Sequence, residues 1–256
     1  MTDYQIASIR DVYRNLSHTL TDEGDTTFFS DLSTLAQVAE VHKSVIHVYN
    51  FKKMSLDYVS PNAKDILGYS AEEAMEKGAQ PFLQNIDVAH TDYLPTVNQM
   101  IVDNRSKKTT MNDYFKSCAC GLIYRHPNGI KRLKIQHLTL DEGTGKPSHR
   151  FMYFIQDVSH LLKKDFYWIQ MVFKNENEVT KSYTSETRKF INGDILSDRE
   201  KEVFHLFQSG KESEEVAQTL FLSRATVNNH RQNMLNKLGA KDMTALMSLA
   251  YACDLN

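Results

Sequence analysis

The sequence predicts an α+β protein, in which an antiparallel sheet with flanking helices is followed by a small all-α domain of four helices. The first observation is the alternation of apolar and polar residues along CGLIYRHPNGIKRLKIQHLTL, which is interrupted at His126-Pro-Asn-Gly129. Asn-Gly between such alternating segments is among the strongest hairpin signals. The second is the change from Leu196 onward to apolar residues three and four positions apart, the period of helices.

The composition is that of a folded protein large enough for two domains, with 256 residues, 41% of them hydrophobic and 24% charged. Apolar runs stay shorter than the ~20 residues of a membrane span, and MTDYQIASIRD has acids where a signal peptide is apolar. We therefore expect a cytoplasmic protein. The net charge of −2 argues against a protein that coats nucleic acid with its whole surface, but it allows a local basic face.

The three cysteines, Cys118, Cys120 and Cys253, are too few for a disulfide framework. Cys118-x-Cys120 lacks a second pair of ligands at metal-binding spacing. We interpret these two cysteines as strand residues, and we assign no metal site.

The first 160 residues contain alternating helix and strand signals. An amphipathic docking helix is predicted within residues 1–30, and a second helix over 31–42. Further on, the patterns predict strands over 45–49 and 56–59, two short helices, a longer helix over 91–104, the hairpin, and a strand over 151–155. Gly68 can close the first short helix, and Ser70 with Glu73 can cap the second. The continuously apolar Phe151–Ile155 is typical of a central strand covered on both faces.

This order of elements, together with two segments, resembles a PAS sensory domain over residues 31–160. Tyr58-Val-Ser-Pro-Asn-Ala-Lys-Asp-Ile-Leu-Gly-Tyr69 is similar to the connection between the second PAS strand and its first helix. Asp157-Val-Ser159 resembles the D-[IV]-[ST] that closes many PAS domains. The resemblance implies a domain that senses a small-molecule ligand or a partner, but the fold leaves the ligand open.

Two features of this domain bear on a cofactor, a segment similar to a flavin site and a single histidine. Gly78-Ala-Gln-Pro-Phe-Leu-Gln84 is similar to the flavin-photoreceptor signature, but Gln80 and Pro81 stand where that signature has cysteine and arginine, which excludes a covalent flavin adduct. His90 is a candidate haem ligand, although a single histidine at a helix margin is more often solvated or capping. We assign no cofactor.

Residues 161–192 are predicted to link the two halves. The aromatic and β-branched Phe166–Phe173, a polar turn, and Val179–Tyr183 favour an extra hairpin over a helix. The polar segment SETRKFINGD that follows is expected to be a flexible tether.

Residues 193–256 predict four helices with recognisable ends. The first has Val203, Leu206 and Phe207 on one face and stops at Gly210, and the second covers Ser213 to Leu220. Ser223 is placed to cap the third, which runs to Leu238 before Gly239. A tight turn between the second and third helices makes a helix-turn-helix, and a fourth helix begins at Met243.

The C-terminal segment closely resembles the LuxR/GerE family of DNA-binding domains. The residues that carry the resemblance are Leu196-Ser-x-Arg-Glu-x-Glu-Val203, Gly210, Val216-Ala217, Leu222-Ser223, Thr226-Val227, His230 and Lys237-Leu-Gly239. It implies that the third helix lies in the major groove, that the fourth commonly pairs two subunits, and that an upstream sensory domain controls the output.

Helical geometry independently predicts a reading face on the third helix. At 100° per residue, Val227, Met234 and Leu238 lie on one side with Leu235 at its edge. The opposite side carries Thr226, Asn228, Asn229, Gln232, Asn233, Asn236 and Lys237. Amides are weaker helix formers than Glu or Lys, so a face that is merely solvated would seldom carry so many. Four cations and no acid lie between Ser223 and Lys241, which favours contact with phosphates.

Roles follow for individual residues. We predict that Asn228, Asn229 and Gln232 read bases, as amides pair with adenine edges. The predicted phosphate contacts are Arg224, Thr226, Arg231, Lys237 and Lys241. Arg231 lies near the apolar side of the helix and is expected to extend to its edge. The predicted structural residues are Glu202, Gly210, Val227 and His230. Asn228 departs from the family, where many members carry lysine, and this lowers the expected nonspecific affinity.

These features predict a transcriptional regulator in which a PAS-like domain controls a homodimeric helix-turn-helix bound to two-fold-related double-stranded DNA. The helix over 243–252 is the predicted pairing element, with the PAS domain as a further candidate. The alternative is a protein-interaction module whose DNA binding is vestigial. The sequence has no glycine-rich phosphate loop, nucleophile elbow or histidine-kinase segment, so an enzyme is not expected.

Overall fold

The computed structural model describes residues 32–50, 53–97, 99–100, 115–139, 150–163, 166–173 and 179–252. The helix predicted within residues 1–30 lies outside these ranges. Within them, helices long and apolar enough to cross a membrane are absent. The described residues form the predicted α+β fold, an antiparallel sheet with flanking helices followed by four helices.

Among the described residues, an eight-stranded antiparallel sheet dominates the first part of the chain, in the order β2-β1-β5-β4-β3-β6-β7-β8. The strands are β1 Ser44–Asn50, β2 Ser55–Val59, β3 Phe115–His126, β4 Gly129–Thr139, β5 Arg150–Asp157, β6 Trp168–Phe173, β7 Val179–Thr184 and β8 Phe190–Asn192. β5 lies between β1 and β4, so the strand predicted over 151–155 is indeed central.

Short helices cover the sheet. They are α1 Leu32–Val41, α2 Ala63–Leu67, α3 Ala71–Lys77, α4 Gln80–Asn85 and a 3₁₀ turn at Val88–His90. Gly68 ends α2 in the left-handed region (φ 84°), and the Ser70 hydroxyl accepts the Glu73 N–H at the start of α3, as predicted. Of the helix predicted over 91–104, residues 94–97 and 99–100 are helical, whereas residues 91–93 form a turn, so the helix begins three residues later than predicted. Residues 98 and 101–104 lie outside the described residues.

Both faces of the sheet are buried. Val45, Leu133 and Ile155 pack with Leu67 of α2 and Ala74 of α3 on one face. On the other face, Ile46 and Met152 pack with Ala39 of α1. The apolar β5 segment is therefore covered on both sides, which explains its lack of alternation.

The predicted hairpin joins β3 to β4. His126 pairs with Gly129 across a two-residue turn, and Gly129 has φ 124°, a conformation that side-chain-bearing residues rarely adopt. Cys118 and Cys120 lie on β3, as interpreted from the sequence. Burial raises the pKa of the Cys120 thiol to about 12, so this group stays protonated.

The segment predicted to link the two halves instead extends the sheet. The expected hairpin is present as β6 and β7, and β6 pairs with β3 along its length. The expectation of a flexible tether over 185–194 is wrong, because Phe190–Asn192 forms β8 and pairs with β7. Phe190 packs against Tyr183 of β7. This apolar contact stabilises β8 within an otherwise polar segment.

His90 is buried, which corrects the expectation of a solvated or capping residue. Its Nε2 accepts the Ile123 N–H at 2.8 Å, so the proton of the neutral ring lies on Nδ1, 2.8 Å from the Tyr93 hydroxyl. Burial lowers the pKa of His90 to about 4, against the opposing effect of the Asp87 carboxylate. The ring therefore joins the 3₁₀ turn to β3 as a neutral hydrogen-bonding group.

The C-terminal part contains the four predicted helices: α5 Asp198–Gln208, α6 Ser213–Leu220, α7 Arg224–Leu238 and α8 Met243–Ala252. Val203 and Phe204 of α5, Val216 of α6 and Leu246 of α8 are fully buried in one apolar cluster. The same cluster includes residues of the sheet, so the helices share a core with the first part of the chain.

Candidate nucleic-acid interface

Helix α7 has well-defined ends that match the prediction. The Ser223 hydroxyl accepts the Thr226 N–H at 3.1 Å, which satisfies one of the free donors of the first turn. At the other end, Gly239 is left-handed (φ 65°), and its N–H closes the helix on the Asn236 carbonyl. Two residues, Phe221 and Leu222, separate α6 from this cap, so α6 and α7 form a helix-turn-helix.

The apolar side of α7 is the one that the sequence predicts. Val227, Met234 and Leu238 are fully buried, and Leu235 is nearly so. They belong to the same cluster as Phe204 of α5. This packing fixes which side of α7 faces outward.

The opposite side of α7 is exposed and rich in amides. The exposed residues of α7 are Arg224, Ala225, Asn228, Asn229, Arg231, Gln232, Asn233 and Asn236. All three predicted base-reading side chains therefore lie together on the surface. Arg231 shares a helical stripe with Val227 and Met234, yet its long side chain reaches solvent as expected.

The amides are held by weak surface contacts. Gln232 Nε2 donates to Asn236 Oδ1 at 2.9 Å, four residues further along the helix. Asn228 Oδ1 accepts from the Ser213 hydroxyl at 3.2 Å, which links the reading face to the start of α6. Such exposed hydrogen bonds are exchanged readily for bonds to water or to a base edge, because their net stabilisation is small.

The predicted phosphate-contacting residues differ in their exposure and in their partners. Arg224 is 70% exposed and lies 4.0 Å from Glu214, a weak surface pair, while Arg231 and Lys241 are also exposed. Thr226 is half-buried, and its hydroxyl lies 2.9 Å from that of Ser223. Lys237 differs from the other cations because its Nζ lies 2.7 Å from Oε2 of Glu200.

Glu200 belongs to the segment that resembles the LuxR/GerE family, but no role is predicted for it from the sequence. It is only 3% exposed, and its Oε2 accepts from Ser197 N–H (2.8 Å), Ser197 Oγ (2.9 Å) and Lys237 Nζ (2.7 Å). The carboxylate thus joins the start of α5 to the end of α7. The Ser-x-x-Glu spacing of Ser197 and Glu200 is a capping-box pattern, and this signal could have identified it.

The residues predicted to be structural occupy different environments. Val227 is buried and His230 is half-buried. Gly210 follows α5 in the left-handed region (φ 86°), which suits a helix end. Glu202 is exposed and pairs with Arg199 at 2.5 Å, on the surface of α5.

Phe221 stands out in the turn before α7. Its side chain is 96% exposed and its backbone is left-handed (φ 55°), a conformation that is unfavourable for a bulky residue. The turn therefore presents an apolar ring to solvent beside the reading helix.

Comparison with known proteins identifies the helical part. Residues 194–250 match the family described as bacterial regulatory proteins, luxR family. The spore germination protein GerE of Bacillus subtilis is 43% identical over 54 residues, which are 21% of this chain and 73% of that protein. The chain belongs to the luxR family. Its α5–α8 are thus the helix-turn-helix DNA-binding domain of a luxR-family transcriptional regulator.

Similarity beyond this domain is weaker. The transcriptional regulatory protein MctR of Rhizobium johnstonii is 36% identical over 61 residues, and the chain spans 28% of it, little more than a quarter of its length. Among solved structures, the Vibrio cholerae VqmA dimer, a LuxR-type receptor, is 16% identical with a TM-score of 0.32, covering 87% of both chains. Similarity this low carries no argument about the sheet, which is described above from the pairing of its strands.

Proposed function

We propose that this luxR-family chain regulates transcription by placing α7 in the major groove of DNA. The observation that carries the proposal is the exposed side of α7, which combines Asn228, Asn229 and Gln232 with cations and has no acid between residues 223 and 241. An Asn or Gln can pair bidentately with N6 and N7 of adenine, and each such pair gives about 1–3 kcal/mol of discrimination.

Phosphate contacts would flank these base contacts. Arg224 and Thr226 lie in the first turn of α7, whose N–H groups favour anions, and Arg231 and Lys241 are exposed further along. Lys237 can approach a phosphate only by sharing its ammonium with Glu200, so its main role is to hold α7 against α5.

Two copies would bind a two-fold-related operator, with α8 as the pairing element. Ala245, Leu246, Leu249 and Ala250 of α8 are already buried within one chain. Pairing would therefore use the side of α8 that carries the exposed Thr244 and Ser248.

The sensory part would bind a small molecule or a partner and act in the cytoplasm, where the DNA is. A half-open groove of about 390 Å³ is the candidate place for such a molecule. It lies between α2–α4 and the β3–β4 turn, and it is lined by Leu67, Gly68, Tyr69, Glu73, Lys77, Gln80, Pro81, Gln84, Asn85 and Pro127. Native mass spectrometry of the purified protein would show whether a ligand accompanies it.

The test of DNA binding is a salt titration with the full-length chain and a randomised duplex pool. Lys241→Ala should weaken binding to all duplexes alike and reduce the slope of log affinity against log salt by about one for each bound subunit, because one phosphate contact is lost. Lys64→Ala removes an exposed cation from α2 and is the charge-matched control, with the wild-type slope expected. An unchanged slope in Lys241→Ala would remove Lys241 from the interface.

One observation favours the second candidate, a protein-interaction module. The exposed ring of Phe221 is suited to contact with another protein. Unaltered mobility of every duplex in the pool at low salt would support this alternative and contradict DNA binding.

A further inference from the structure

The first turn of α6 is hydrogen-bonded to the predicted base-reading side of α7. The Ser213 hydroxyl donates to Oδ1 of Asn228 at 3.2 Å. Ser213 is half-buried at the first residue of α6, whereas Asn228 is exposed on α7. The bond therefore crosses from one helix of the helix-turn-helix to the other, and it ends on one of the three side chains that are predicted to read bases.

Apolar packing between the two helices sets the distance between these side chains. Val216 of α6 and Val227 of α7 are fully buried in one cluster. Ser213 lies three residues before Val216, on the same stripe of α6, and Asn228 directly follows Val227. The two polar side chains are thus brought together by buried neighbours, and their separation does not depend on the hydrogen bond itself.

The Ser213 hydroxyl is not needed to begin α6. A serine at the start of a helix often accepts a backbone N–H of the first turn. In α6, Glu212 occupies the N-cap position, and Oε2 of Glu215 accepts the Glu212 N–H at 2.8 Å. The hydroxyl of Ser213 is therefore available to Asn228, and its removal should leave the start of α6 intact.

The bond restricts the side chain of Asn228. An exposed asparagine exchanges among rotamers, and ordering one of them on binding lowers the affinity unless the side chain is held there beforehand. Water competes with this bond in the free protein, but DNA in contact with α7 would displace that water and strengthen the bond. Asn228 can keep the bond while it contacts a base, because its amide has two N–H donors and its Oδ1 has a second lone pair.

The contact depends on the residue type at position 228. Lysine, which many members of the family carry here, has three donors and no acceptor, so it could not accept a hydrogen bond from the Ser213 hydroxyl. Asparagine lacks the charge and the reach of lysine, but it can be held in one direction by the neighbouring helix.

We propose that Ser213 is a positioning residue for base reading: its hydroxyl holds the Asn228 side chain in the rotamer that meets a base edge. This inference rests on the proposed function. A matching base pair gains from the ordered side chain, whereas a mismatched base pair, which makes no bond to Asn228, does not. Ser213 thereby sharpens discrimination at the base pair that faces Asn228 and leaves the base pair that faces Asn229 unaffected.

The test uses the full-length chain. Sites selected by wild type, Asn228→Ala and Asn229→Ala first locate the base pair that each asparagine faces. Affinity for the selected duplex is then compared with affinity for duplexes changed at one of these base pairs in one half-site. Ser213→Ala should reduce discrimination at the Asn228 base pair by about 2- to 10-fold, the effect of one pre-ordered side chain, and keep wild-type discrimination at the Asn229 base pair.

Two further variants separate positioning from other roles. Ser213→Ala added to Asn228→Ala should change nothing at the Asn228 base pair, because the side chain that Ser213 holds is already gone. Ser209→Ala is the matched control, since Ser209 is an exposed serine at the end of α5 whose hydroxyl donates to the Leu206 carbonyl. This control should keep wild-type discrimination at both base pairs.

Each of four results would overturn the inference. The first is wild-type discrimination at the Asn228 base pair in Ser213→Ala. The second is an equal loss at the Asn229 base pair, which indicates a general change in α7. The third is a loss of the same size when Ser213→Ala is added to Asn228→Ala, since Ser213 would then act without Asn228. The fourth is an Asn228→Ala chain that selects the wild-type site at every position.

These four results leave DNA binding in place. Failure of wild type to bind any duplex is a separate outcome, which overturns the proposed function and this inference with it.

Discussion

Glu200 is a buried residue that joins the reading helix to α5. Its buried carboxylate accepts from Ser197 at the start of α5 and from Lys237 at the end of α7. A buried carboxylate is tolerated only where such donors compensate for lost hydration. Removing its charge leaves Lys237 without its partner.

We predict that Glu200→Gln lowers the free energy of unfolding by about 1–3 kcal/mol, since a buried charged pair is broken while shape is kept. Equilibrium unfolding in urea measures this. Glu202→Gln is the matched control on the same helix, because Glu202 is exposed and forms only a surface pair with Arg199, and its effect should stay within about 0.5 kcal/mol. Equal stabilities of the two variants would contradict the role given to Glu200.

At the scale of elements, two buried histidines join strands of the sheet to the short helical segments that pack on it. His90 joins the 3₁₀ turn to β3 through Ile123, and His47 on β1 lies 3.5 Å from the Tyr69 hydroxyl next to α3. Burial lowers the pKa of both rings to about 4, from an ordinary value of 6.5. Both are therefore neutral in the folded protein at neutral pH.

The lowered pKa values predict that the free energy of unfolding decreases as the pH falls. Between pH 6.5 and about 4 the unfolded chain binds protons at these histidines while the folded chain does not, so the free energy of unfolding is highest above pH 6.5 and falls as pH drops through this window. Urea unfolding at several pH values measures the slope.

His90→Gln should reduce the dependence of stability on pH, because one of the two buried rings that resist protonation is removed. His205→Gln changes an exposed histidine of α5 and is expected to keep the wild-type slope. A stability that does not change between pH 7 and pH 5 would contradict the account of both buried rings.

Some features of α7 can be predicted from the sequence and others cannot. The cap at Ser223, the end at Gly239 and the buried Val227, Met234 and Leu238 were all predictable, since they follow from local chemistry and a period of 3.6 residues. The ion pair of Lys237 with Glu200 was not, because it joins residues 37 positions apart. Lys237 could therefore be assigned to phosphate from its charge alone, although the structure gives it a partner within the protein.

At the scale of the whole molecule, the sequence predicts which segments form strands or helices better than it predicts how these elements pack together. The hairpin over β6 and β7 is visible in its aromatic and β-branched residues, but its pairing with β3 depends on contacts distant in the chain. The polarity of SETRKFINGD predicts a tether, but polarity within one segment carries no information about a neighbouring strand, and β8 pairs with β7. The burial of His90 escapes prediction for a similar reason, since its partners Ile123 and Tyr167 come from β3 and from the residue just before β6.

These long-range contacts change how the molecule is expected to work. The sequence predicts a sensor and a DNA-binding domain on a flexible connection, whereas in the structure Leu162 and Phe166 place the end of α7 against the sensory part in a continuous core. The boundary between the two parts at residue 193 stays a prediction. DNA binding is therefore best measured on the full-length chain, in which this core is complete.

The most direct test is selection of bound sites from a randomised duplex pool by full-length wild type and by Asn229→Ala. Wild type should select a two-fold-related site with one fixed spacing. Asn229→Ala should lose preference at one corresponding base pair in each half-site while keeping the spacing and the remaining positions, because a base contact is removed and the fold is not. A pool that stays random with wild type, or an Asn229→Ala site identical to that of wild type at every position, would contradict the assignment of this α7 face to base reading.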